Sequence, residues 1–185
     1  HKPLSEITLG MNYYLEEIGW DPDKATREIG KILKDDLGKP IDAVAQALNG
    51  IWLNNDDIEE ILIDIGVAAA DVGSALNALG TSALGIAKSL LEQGLNPEQI
   101  AKELANLNKA INEIAESIFS VVDFGNAGNE VAKALKSIGQ APRDLAVILN
   151  KNLRLHPNQI AESLQSIDVV PEDIAKIIHV DLEYD

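Results

Sequence analysis

Three features predict an all-α fold, either an α-solenoid or a compact coiled array of about eleven short helices. They are a fourteen-residue repeat of aliphatic anchors, helix start and stop signals around each anchor, and an apolar content carried by small aliphatic residues. The anchors are Ile29, Val44, Ile58, Val72, Ile86, Ile100, Ile114, Val131, Leu145, Ile160 and Ile174, spaced by 15, 14, 14, 14, 14, 14, 17, 14, 15 and 14 residues. Four residues after each stands Leu33, Leu48, Leu62, Leu76, Leu90, Leu104, Ile118, Leu135, Leu149, Leu164 or Ile178, all aliphatic. Seven residues after the anchor, Ile51, Ile65, Leu79, Leu107, Val121, Ile138 and Ile167 add a third apolar position. Offsets of 0, 4 and 7 fall on one helical face, so each unit presents an apolar stripe.

The residue directly after the anchor is small (Gly30, Ala45, Gly73, Ala87, Ala101, Ala115, Ala132, Ala146, Ala161, Ala175), with Glu59 the exception. A small side chain there predicts helix axes at the short end of the usual packing distance. Fourteen residues are also two heptads, but the breakers exclude a continuous coiled coil. Pro97, Pro142, Pro157 and Pro171 fall three residues before an anchor, in a first turn that tolerates proline. Gly66, Gly80, Gly94 and Gly139 fall eight after one, where a left-handed residue ends a helix. Each helix is then roughly eleven residues long and too short to stand alone, so stability comes from stacking on neighbours.

The expected organisation is one domain, 1–185. Residues 1–20, with Met11, Tyr13, Tyr14, Leu15, Ile18 and Trp20, form an N-terminal cap, and 25–182 carry the repeats. The chain opens at His1 without a charged and then apolar leader, which suggests a processed protein or a segment of a larger one.

Of the 185 residues, 46% are hydrophobic and only 4% aromatic, so the core is built from Ile, Leu, Val and Ala. Thirty acidic against fifteen basic residues give a net charge of -15, which repels phosphate backbones and makes nucleic acid an unlikely partner. The absence of cysteine rules out disulfides, thiolate metal sites and a cysteine nucleophile. The localisation expected is secreted or cell-surface.

The fragments "LNPEQIAKEL" at 95–104, "PNQIAESLQSI" at 157–167 and "PEDIAKII" at 171–178 are similar to the helix openings of transcription-activator-like effector repeats, and loosely to mitochondrial transcription-terminator repeats. The chain lacks the effector period and its glycine-rich base-reading loop. The resemblance implies stacked short helices, and the charge opposes the DNA binding it would also imply. Nearly the whole chain also resembles tandem short-helix arrays of large bacterial secreted or surface proteins, a likeness that implies no chemistry.

No motif for catalysis, cofactor binding or metal ligation is expected to operate. Of the three histidines, His1 is terminal, His156 precedes Pro157 at a helix start, and His179 sits in the last repeat. "NNDDIEE" at 54–60 gathers four carboxylates and two amides, but without the spacing and glycine of a calcium loop it predicts helix capping. The basic residues Lys133, Lys136, Arg143, Lys151 and Arg154 are interspersed with Glu130 and Asp144 and make a mixed patch at most.

Departures from the repeat are the better functional pointers. The 17-residue spacing inserts "VVDFGNAGNE", and Phe124, Asn126 and Phe119 are the candidate partner-binding residues there. For Phe124 the competing reading is a ring folded back to fill the core. The second departure is the weakly charged stretch 61–91, expected to lie at the centre of the array. The function expected is a non-enzymatic structural or protein-interaction module with a protein or glycan partner, possible self-association left open. The alternative is a membrane-active or pore-forming segment that uses 61–91.

Overall fold

A computed structural model describes residues 3–123 and 125–182. Among them are twelve α-helices and no strand: α1 (Leu4–Glu17), α2 (Pro22–Lys31), α3 (Ile41–Asn49), α4 (Asn55–Asp64), α5 (Ala69–Ala78), α6 (Ala83–Glu92), α7 (Pro97–Asn106), α8 (Ile111–Val121), α9 (Ala127–Ser137), α10 (Pro142–Lys151), α11 (Pro157–Gln165) and α12 (Pro171–Lys176). Helices α2 to α12 carry one anchor each, in chain order, so the eleven repeats are eleven helices. Two π-helical turns follow α2 (Ile32–Asp36) and α12 (Ile177–Asp181).

The chain divides into two compact units, His1–Thr81 and Ser82–Asp185. In the first, α1 packs on α2 and α3, α2 on α4, and α3 on α5. In the second, α6 packs on α8, α7 on α9 and α9 on α11, and consecutive helices also touch. Within each unit consecutive helices therefore meet, and most next-but-one pairs pack as well, the arrangement that short loops impose on short helices.

The anchors form the core. Ten of the eleven are fully buried, and Ile174 is nearly so. The residue four further on is buried in every helix except α12, where the stripe moves to Ile177 and Ile178 is only half-buried. The third position is weaker than expected: Ile51, Ile65 and Ile167 are buried, whereas Leu79, Leu107, Val121 and Ile138 are half-buried at the helix ends. A second ridge, three residues after the anchor, is carried in six helices by small residues that an aliphatic repeat does not register. Ala47, Ala75, Ser89, Ser117, Ala134 and Ser163 are all buried there.

The helix ends repeat one device. The residue eight after the anchor has positive φ at Gly66, Gly80, Gly94 and Gly139, as expected, and equally at Asn108, Asp168 and Trp52. The N–H of the residue after it donates back to the leucine carbonyl four beyond the anchor: Val67 to Leu62 (3.0 Å), Thr81 to Leu76 (2.9 Å), Leu95 to Leu90 (3.0 Å), Lys109 to Leu104 (3.0 Å), Gln140 to Leu135 (3.1 Å) and Val169 to Leu164 (3.2 Å). This is the bond of a Schellman cap, and it satisfies a carbonyl that the helix itself leaves unpaired.

The two fifteen-residue spacings keep the same device with one residue more. A longer backbone bond absorbs it, from Leu37 N–H to the Ile32 carbonyl (2.9 Å) and from Leu153 N–H to the Ile148 carbonyl (3.2 Å). The left-handed residue then moves one place on, to Gly38 and Arg154.

Trp52 is the outlier. It occupies the glycine position with φ of 73° and leaves 90% of its surface in water. A left-handed conformation costs a bulky residue roughly 1–2 kcal/mol, and burial does not compensate here. Trp52→Gly is expected to raise stability in urea unfolding by about 0.5–1 kcal/mol, after allowing for the greater chain entropy of glycine. A loss of stability would show that the ring makes a contact that matters to folding.

Candidate functional site

The interruption between α8 and α9 builds a cleft. Val122 turns extended (φ -98°, ψ 164°) and ends α8, and the chain re-enters a helix at Ala127 after Asn126. Asn126 N–H donates to the Asp123 carbonyl (3.1 Å), and the Asn126 carbonyl accepts from Glu130 N–H (3.1 Å). The side chains continue this order: Asn129 Nδ2 donates to Asn126 Oδ1 (2.6 Å), Asn126 Nδ2 to Glu130 Oε1 (3.0 Å), and Lys133 Nζ to the same oxygen (3.0 Å).

Because α9 stacks on α11, the opposite wall comes from α11 and from Leu155 just before it. The cleft, of about 110 Å³, is lined by Phe119, Gly125, Asn126, Gly128 and Asn129 on one side and Leu155, Gln159, Glu162 and Ser163 on the other. Two of the three candidate residues, Phe119 and Asn126, thus share one cleft. Phe124 lies outside the described residues.

Gly128 sets the width. A Cβ on it would stand 2.7 Å from Ser163 Oγ and 2.9 Å from Leu155 Cδ1, closer than carbon atoms pack. Ser163 is itself buried, and its hydroxyl donates to the Gln159 carbonyl (2.8 Å). The helices therefore meet here backbone to side chain. Loop and α11 leave a recess only where the ring of Phe119 and the amides of Asn126, Asn129 and Gln159 border it.

No protein-family model matches the chain, and no curated protein is similar to it.

The other sequence candidates resolve into structural roles. In "NNDDIEE", Asn54 Oδ1 accepts from Asp57 N–H (2.9 Å) and Asp57 Oδ2 from Asn54 N–H (3.3 Å), a reciprocal cap on α4. Glu60 and Asp64 bind Arg27 of α2, at 2.6 Å and 2.5 Å. Hydrogen bonding to Asp64, reinforced by the carboxylates of Asp64, Glu60 and Asp23, holds the Arg27 guanidinium above its already high ordinary value. The guanidinium, which joins α2 to α4, is charged throughout the ordinary pH range.

His156 caps α11 through its backbone, its N–H donating to Gln159 Oε1 (3.0 Å). Within the basic group, Lys133 pairs with Glu130, Lys136 reaches the Ile167 carbonyl (2.7 Å), and Arg143 pairs with Asp181 (2.8 Å). Among the described residues no three His, Asp or Glu side chains are grouped to hold a metal ion.

The weakly charged stretch 61–91 buries Ile61, Leu62, Ile65, Val72 and Leu76 in the first unit and Ile86 and Leu90 in the second. Its outward positions hold Ala68, Ala70 and Ala78 beside the charged Asp64, Asp71 and Lys88, and Ile63 and Leu91 are its exposed large residues. Among the described residues no helix is long and apolar enough to cross a membrane.

Proposed function

We propose that this chain is a non-enzymatic structural or protein-interaction module, with the α8–α9 interruption as its recognition surface. The observation that carries this reading is the cleft itself. At about 110 Å³ it is smaller than the cavities that enclose cofactors or drug-sized ligands, roughly 300–1,000 Å³, and fits one inserted side chain. Its border supplies what such a side chain needs: an aromatic edge at Phe119 for apolar contact, amide donors and acceptors at Asn129 and Gln159, and a carboxylate at Glu162. The stacking stripe fixes the architecture and leaves these border positions free to suit a partner.

The experiment is a comparative capture. Wild-type chain, Phe119→Ala, Glu162→Arg and a control on a remote surface, Lys88→Glu, are immobilised and challenged with native extract. A protein held by wild type and the control but reduced tenfold or more on both cleft variants is the expected result, corresponding to about 1.4 kcal/mol of binding free energy or more. Equal retention by all four would remove the cleft from the account, and circular dichroism of each variant separates loss of binding from loss of fold.

A further inference from the structure

Trp52 is the largest side chain that the fold leaves in water, and it does so from a left-handed position between α3 and α4. Elsewhere among the described residues such positions hold glycine, asparagine, aspartate or arginine. The backbone beneath Trp52 is nonetheless ordered. Its N–H donates to the Asn49 carbonyl (3.1 Å), and Asn49 Nδ2 donates to the Leu53 carbonyl (3.3 Å), so the turn is bonded on both sides of the tryptophan. A strained, exposed aromatic on an ordered turn, with no packing to offset the strain, fits a residue whose contact is with another molecule. Backbone strain gathers at ligand clamps, and tryptophan is among the residue types that dominate binding energy at interfaces.

The surroundings state the chemistry of that molecule. Leu53, the next residue, lines a cleft of about 240 Å³ together with Asp23, Arg27, Asp57 and Glu60. Three carboxylates there face one cation, and Arg27 is already engaged by Glu60 and Asp64. Among the described residues neither Asp23 nor Asp57 forms an ion pair, and the exposed Asp56 stands beside Asp57 in the first turn of α4. The chain's other tryptophan shows the pairing such a ring takes: Lys24 Nζ lies 4.3 Å from the centre of the Trp20 ring. Among the described residues no cation stands over the ring of Trp52.

We propose that Trp52 and the adjoining Asp23 and Asp57 carboxylates form a docking site for an arginine-bearing peptide segment of a partner protein. Arginine meets both halves of the site, because its planar guanidinium stacks on an aromatic face and pairs with carboxylates through parallel hydrogen bonds. The ordered turn holds Trp52 where it stands before the partner arrives, which lowers the entropy lost on binding. The net charge of -15 draws a basic segment in and repels an acidic one. This surface belongs to the first unit and is separate from the α8–α9 cleft, whose lining comes wholly from the second.

Fluorescence anisotropy of a dye-labelled peptide of alternating arginine and glycine, titrated with the full chain at physiological salt, tests this. Wild type binds it and does not bind the same peptide with glutamine in place of arginine. Trp52→Gly, expected to fold at least as well as wild type, weakens binding about tenfold, and Asp23→Asn weakens it about threefold. Glu92→Gln, the same change of charge on a residue that does not line the cleft, stays within about twofold of wild type. Circular dichroism is unchanged in all three variants. Wild type that fails to bind the arginine peptide overturns the proposal, as does Trp52→Gly that binds it like wild type. Equal losses from Glu92→Gln and Asp23→Asn would reduce the attraction to net charge, and binding of the glutamine peptide would mean that the ring accepts any chain; either result removes the site.

Discussion

Ala101→Leu is expected to destabilise the chain by about 1–3 kcal/mol, the range for inserting methylene groups into a packed core. Ala101 is fully buried on α7, one residue after the fully buried anchor Ile100. Helices α6, α8 and α9 all pack on α7. A leucine there can be placed only by separating helices that close approach holds together. The same substitution one repeat position away in kind, Ala175→Leu, meets solvent and is expected to change stability by less than about 0.5 kcal/mol. Urea unfolding of the two variants measures the difference, and equal effects would mean that the small residue is a matter of composition and not of packing.

The repeat made this contrast foreseeable because an aliphatic residue every fourteen positions can be counted without any structure. Ile29 through Ile174 are the buried anchors, and Gly66, Gly80, Gly94 and Gly139 are the left-handed stops. What the letters concealed is the same conformation at Trp52, Asn108, Arg154 and Asp168. Glycine announces a left-handed position because it alone adopts one freely, whereas Asn108, Arg154 and Asp168 are each followed by a closing backbone bond, from Lys109 to Leu104, Leu155 to Leu149 and Val169 to Leu164. The second buried ridge was concealed for a related reason. Serine at positions 89, 117 and 163 reads as surface, yet each takes the place that Ala47, Ala75 and Ala134 take elsewhere. Aligning the repeats on their anchors sets these serines in register with the alanines, so that their burial follows from size rather than from polarity, while Ile32, Ile61, Glu103, Ile148 and Ile177 hold the same position in the other repeats.

The candidate site divides the same way. An interval of seventeen residues where fourteen is the rule marks the α8–α9 loop, and Phe119 and Asn126 do line the cleft it forms. Gln159, Glu162 and Ser163 were not legible, since they hold ordinary positions of the α11 repeat. They reach the site because α11 stacks on α9, a relation set by the next-but-one packing of the array and not by any local motif.

Leu104→Ala is expected to carry the largest effect of the substitutions considered, about 2–5 kcal/mol. Leu104 is fully buried, four residues after Ile100, and its carbonyl also receives the Lys109 N–H (3.0 Å) that closes α7. Truncation removes three buried carbons and leaves a cavity that cannot collapse easily. The neighbouring ridge positions are already small, and Ala101 and Ala132 are fully buried. Leu107→Ala on the same helix removes the same atoms from a half-buried site at its end, where water fills the space, and is expected to cost about 1 kcal/mol. Because stability in a stacked array is shared between neighbours, hydrogen exchange should locate the loss. Amides of α7 and of α9, its next-but-one partner, lose protection with Leu104→Ala, while those of α3 and α5 in the first unit hold theirs. Protection lost evenly throughout would instead show that all twelve helices unfold as one cooperative body.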